Sequence, residues 1–125
     1  MIYRTARHTD DLKPLVKFYT QVLGFEVLFS FENHNGYDGA FIGQPGQDWH
    51  LEFTASERPS DHKFDPEGIL VFYPTEAKEY EAIVQRIESN GLERLKAENP
   101  YWNDNGIMIK DPDGFRVVVS NLKVE

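Results

Sequence analysis

With 125 residues, 40% of them hydrophobic and 14% aromatic, the chain is long enough to bury a core as one domain and too apolar to be disordered. Its 21 acidic residues against 13 basic ones give a net charge of −8, which repels phosphate backbones and argues against nucleic acid as a partner. The absence of cysteine excludes disulfides, thiolate nucleophiles and Cys-based zinc sites, so any metal must be held by His, Asp or Glu.

No apolar run approaches the roughly 20 residues of a membrane helix, and the opening MIYRTARHTDDL lacks the apolar stretch of a secretory signal. A cytoplasmic protein without a membrane partner is expected. Residues 2–9 read as a first strand, after which Asp10 and Asp11 offer carboxylates to the positive end of a helix. Leu12, Leu15, Val16, Tyr19, Val22 and Leu23 recur at spacings of three and four, the stripe of an amphipathic helix that Gly24 ends. Three strands follow. FEVLFSF (25–31) is read with Phe25, Val27, Phe29 and Phe31 on one face; YDGAFIG (37–43) follows an Asn-Gly turn, and DWHLEFT (48–54) a Pro-Gly turn.

The order then begins again. GILVFYP (68–74) is a short apolar run suited to a buried strand, and Tyr80, Ile83, Val84 and Ile87 mark a helix face that stops at Asn90-Gly91. LERLKA (92–97), NGIMIK (105–110) and FRVVVSN (115–121) are expected to be three more strands. LGFE at 23 and NGLE at 90, GAFI at 39 and GIMI at 106, and Pro45 and Pro112 are all 67 positions apart. Three coincidences in one register indicate a duplicated β-α-β-β-β module, with module one at 1–54 and module two at 68–121. Between them, ASERPSDHKFDPE (55–67) is polar, carries two prolines and reads as a connector without structure of its own, long enough to permit domain swapping.

Paired modules of this kind, with FYTQVLGFEV closing the first helix and NPYWNDNGIMIKDPDGFRVVV near the end, resemble the vicinal oxygen chelate superfamily of glyoxalases, extradiol dioxygenases, and fosfomycin and bleomycin resistance proteins. The resemblance covers nearly the whole chain. It implies an α+β fold in which two paired β-α-β-β-β modules form a curved mixed sheet cup, and it implies a homodimer. In metal-dependent members it also implies ligands on the first and last strands of each module, and here those positions depart from the pattern. The glutamate expected four residues after the glycine of the Asp-Gly turn is Val118; a histidine expected near Gly68 or Ile69 is missing; and Arg4, a cation, stands at the ligand position of the first strand.

Strand periodicity sends Trp49, Leu51 and Phe53 to one face of DWHLEFT and Asp48, His50, Glu52 and Thr54 to the other. The ligand-binding candidates are therefore Arg4, His50 and Glu52, with Arg4 expected to pair with Glu52, and Tyr101 and Trp102 as aromatics that cover the cup. Tyr37, Phe41 and Tyr73 are further candidates for its lining. His34 and His62 fall in predicted loops and are given no role. No catalytic residue is assigned, because there is no nucleophile elbow, phosphate-binding glycine loop or dinucleotide fingerprint, and DPDG lacks the spaced oxygens of a calcium loop.

The reading that best fits these departures is a bleomycin-resistance-like protein that sequesters a small aromatic or cationic compound and needs no cofactor. The alternative is a metal-dependent lyase, isomerase or dioxygenase of the glyoxalase type, holding a divalent metal through His8, His50 and Glu52. A regulatory module whose cup is only inherited is a third possibility.

Overall fold

The computed structural model describes residues 1–124. The chain divides into two compact units, Met1–His62 and Lys63–Glu125.

The first unit runs β1 (Tyr3–His8), α1 (Leu12–Gln21), β2 (Glu26–His34), β3 (Tyr37–Gly43) and β4 (Trp49–Ala55). Its sheet has the order β1-β4-β3-β2, with β1 parallel to β4 and the other pairings antiparallel. Asp11 caps α1, its carboxylate accepting the Lys13 N–H at 3.1 Å. Leu15, Phe18 and Tyr19 are the buried residues of the helix, and the Tyr19 ring lies 5.2 Å from that of Phe53 on β4. One face of the sheet is thus sealed by α1, with Ala40, Ile42, Leu51 and Phe53 buried among the core residues. The β2–β3 loop is Asn35-Gly36, with φ of 52° and 82°, the left-handed pair that a two-residue hairpin turn requires.

Strand β2 departs from the simple alternation. Val27 stands opposite Ile42, but Phe29 stands opposite Phe41, so the register shifts at Leu28. Ile42 belongs to the buried face and Phe41 to the opposite one, and the extra residue therefore turns Phe29 and Phe31 away from α1. Phe25 stays behind, buried against Trp49 with ring centres 5.4 Å apart. The expectation that Phe25, Val27, Phe29 and Phe31 share a face is corrected by this bulge.

The second unit runs β5 (Ile69–Phe72), α2 (Ala77–Ser89), α3 (Pro100–Asp104), β6 (Gly106–Lys110) and β7 (Arg116–Ser120), with a sheet of order β5-β7-β6. The strand expected at 92–97 is reduced to one bridge, in which the Leu95 N–H donates to the Met108 carbonyl at 2.8 Å. A side chain takes the backbone groups that a ladder would use: the Ala97 N–H donates to Asn103 Oδ1 at 2.8 Å, and Asn103 Nδ2 donates to the Ala97 carbonyl at 3.1 Å. The DPDG segment is the hairpin turn expected of it, with Asp111 Oδ1 accepting the N–H groups of Asp113 and Phe115.

Beyond Ala55, the last residue of β4, the connector forms no helix or strand but is pinned at two points. In the first unit the Ser60 N–H donates to the Asp10 carboxylate at 2.7 Å, and in the second the Phe64 ring stands edge-on to Phe115, 5.0 Å away. Among the described residues no helix is long and apolar enough to cross a membrane.

Candidate functional site

The open face of the first sheet follows from its register. Arg4 lies opposite His50, Ala6 opposite Glu52 and His8 opposite Thr54 in the β1–β4 ladder; Phe41 lies opposite Glu52 in β3–β4; and Phe29 and Phe31 lie opposite Phe41 and Gly39 in β2–β3. Because paired residues share a face, the bulge brings Phe29 and Phe31 to join Phe41 on the surface that carries Arg4, His50 and Glu52.

Glu52 is the centre of this surface. Its Oε1 accepts a hydrogen bond from Arg4 Nη1 at 2.7 Å and lies 3.3 Å from His50 Nε2. The Glu52 and His50 side chains are 18% and 16% exposed, whereas Arg4 is 58% exposed, so a screened carboxylate is met by a guanidinium reaching in from solvent. The His50 ring stacks on Phe41 with 5.0 Å between centres and 21° between planes. Phe29 lies 5.6 Å from Phe41 and Phe31 lies 6.2 Å from it, making a continuous aromatic floor beside the ion pair. Gly39 permits this packing, since a Cβ there would run into the Phe31 ring. Phe29 is 58% exposed, a large apolar side chain left uncovered.

Arg4, His50 and Glu52 are therefore brought together, while His8 is not. The His8 ring nitrogen Nε2 is hydrogen-bonded to Ser56 Oγ at 2.9 Å, and its ring stands edge-on to Tyr37. Among the described residues no group of three or more His, Cys, Asp or Glu side chains gathers as a metal site would require. The His8, His50 and Glu52 set does not fit a divalent ion: one carboxylate oxygen already holds a cation, and one histidine is held by a hydroxyl.

The second unit places its candidates differently. Val118 is fully buried in a cluster with Ala97 and Met108, against which Ile69, Val71, Leu95 and Trp102 pack. Trp102 thus packs against the cluster that contains Val118. Asn99 caps α3 by accepting the Tyr101 N–H at 3.0 Å, and Tyr101, 48% exposed, stands perpendicular to the Trp102 ring at 5.0 Å. Trp102 is a packing residue of this unit, and Tyr101 is its exposed neighbour.

Phe29 and Phe31 were not legible as site residues. The available signal is the unbroken Val27-Leu28-Phe29 run, which violates period-two alternation and marks a bulge.

Comparison with known proteins places this geometry. The model of the YycE-like N-terminal domain matches residues 3–54, and that of the YycE-like C-terminal domain matches residues 67–121. The uncharacterized protein YycE of Bacillus subtilis is 41% identical over 124 residues, covering 96% of this chain and 87% of that protein. The chain belongs to the YycE-like family.

A crystal structure of a YycE protein of unknown function from Bacillus subtilis has a TM-score of 0.83 at 40% identity, covering 99% of this chain and 91% of the other. Glyoxalase I of Leishmania major has a TM-score of 0.72 at 23% identity, with 97% and 86% covered. TnmS3, an antibiotic binding protein from Streptomyces sp. CB03234, has a TM-score of 0.66 at 18% identity, with 96% and 93% covered. At those two lower identities the likeness concerns fold alone. The YycE-like chain has the α+β fold of the glyoxalase and vicinal oxygen chelate proteins, as its sequence pattern implied.

Proposed function

We propose that this protein binds and sequesters a small aromatic or cationic compound on the open face of the first sheet, without a metal. The observation that carries this reading is the pairing of Glu52 with Arg4 and His50 beside the Phe29, Phe31 and Phe41 floor. A flat apolar surface with one oriented charge selects a planar guest by stacking and by a single polar contact. The burial of Val118 in an apolar cluster supports the same reading, because the position that supplies a glutamate ligand in metal-dependent relatives has no lone pair here. That a protein of the same fold is an antibiotic binding protein supports a binding role at the level of fold. Tyr101, exposed on the second unit, is proposed as a separate aromatic ligand contact of that unit. A homodimer in the cytoplasm completes it, supported by the superfamily's paired modules and by the lack of cysteine.

The test is metal content by elemental mass spectrometry on tag-free protein, run beside thermal shifts with a panel of planar aromatic compounds. Sequestration predicts a saturable stabilisation that Phe41→Ala and Glu52→Ala abolish, with no metal retained after washing. Near-stoichiometric metal that Glu52→Ala removes would overturn it.

A further inference from the structure

The Arg4 side chain has a feature that its pairing with Glu52 alone does not explain. It is 58% exposed and comes from β1, the end strand of its sheet, whereas the carboxylate it holds is 18% exposed and lies opposite Phe41. A planar cation on a flexible stem thus sits on a carboxylate beside aromatic rings, in the place a ligand's own cation would take. We infer that Arg4 is a tethered competitor, a specificity residue that occupies Glu52 until an aromatic cation displaces it. The inference rests on the reading of the site given above and names the ligand class: a planar ring bearing an amidinium, guanidinium or similar group.

Three physical points lead there. A pair this exposed is held weakly, because solvent screens it and the long arginine side chain loses rotamer freedom in forming it. Attachment to β1 keeps the guanidinium at a high local concentration, so a simple cation that offers only charge competes poorly with it. A cation joined to a flat ring adds stacking on Phe41 and on the exposed Phe29, a gain that Arg4 does not make for itself. Arg4 then discriminates by the aromatic area of the guest as well as by its sign of charge. The acidic chain, with a formal charge of −8, favours the approach of cations over anions.

The experiment is isothermal titration of the wild type, Arg4→Gln and Glu52→Gln with benzamidine, benzoate and neutral benzamide, with circular dichroism confirming that each variant is folded. Arg4→Gln is expected to bind benzamidine about fivefold tighter than the wild type, as release from a weak competing pair allows. Glu52→Gln is expected to lose that preference and to bind benzamidine and benzamide alike. Weaker benzamidine binding in Arg4→Gln, or benzoate binding that this variant abolishes, would overturn the inference by making Arg4 an anchor for anions, while an aromatic binding face would still stand. Failure of all three probes to bind any of the three proteins would instead overturn the binding reading itself, and the inference with it.

Discussion

Arg4 and Glu52 are 48 residues apart in sequence, and their side chains meet at 2.7 Å across the only parallel pairing in their sheet. The pair is long-range in the chain and local in the ladder, so it reports on whether β1 is docked against β4. A double-mutant cycle over Arg4→Ala and Glu52→Ala, followed by urea denaturation, is expected to give a coupling of about 0.5–1 kcal/mol, as for other partly exposed pairs. A coupling of zero would leave the two side chains neighbours without an energetic link.

Val118→Glu puts a carboxylate at a fully buried position among Ala97, Met108 and the hydrophobic residues packed on them. The expected result is destabilisation by more than about 3 kcal/mol, from burial of an unpaired charge, with no gain in divalent-metal affinity. Urea denaturation and metal titration of the same preparation check both halves.

Gly39→Ala tests the aromatic floor without changing any charge. The new methyl group meets the Phe31 ring, and the strain of moving that ring is expected to cost about 1–3 kcal/mol. Ligand binding on the open face should weaken with it. Unchanged denaturation midpoint and unchanged binding would mean that the Phe31 ring moves aside without consequence.

Asn103→Ala removes both hydrogen bonds to Ala97 and leaves a partly buried backbone N–H and C=O without that partner. A loss of about 1–3 kcal/mol is expected. Because Trp102 packs against the cluster that contains Ala97, its emission should shift toward that of a solvated indole, measured in a Trp49→Phe background so that a single tryptophan is observed.

Acid dependence follows from Asp10. The Ser60 backbone N–H holds its carboxyl below the usual 3.8, with the Ser60 side chain adding to the effect. A depressed carboxyl contributes stability that is present above the unfolded value and lost as pH falls through the folded one. Asp10→Ala should therefore lower the urea midpoint at neutral pH, and its difference from the wild type should shrink as pH falls below about 3.8. A difference independent of pH would assign the effect to something other than the carboxylate.

What the sequence displayed about fold and site depended on whether backbone or side chain set the pattern. Alternation along DWHLEFT correctly separated Leu51 and Phe53 from His50 and Glu52, because β4 is paired on both sides and keeps its register. Alternation misassigned Phe29 and Phe31, because one extra residue at Leu28 is invisible to a period-two reading that starts at Phe25. LERLKA had the composition of a strand, yet its backbone at Ala97 is bonded by the amide of Asn103, six residues downstream. The connector looked featureless because its restraints come from Asp10 and Phe115, far from it in the chain. The departure at Val118, by contrast, was readable outright, since it depends on residue type and a fixed distance from Gly114.

The bulge at Leu28 carries a consequence for how such surfaces change. If Leu28 were instead paired with Phe41 in an unbroken ladder, Phe29 and Phe31 would return to the helix side and Leu28, Ser30 and Glu32 would come out in their place, exchanging an aromatic strand face for a more wettable one with no change of sequence. For this surface, the register of β2 against β3 matters as much as the identity of its residues. A one-residue slip of β2 against β3 can convert a guest-binding face into an inert one without a single substitution.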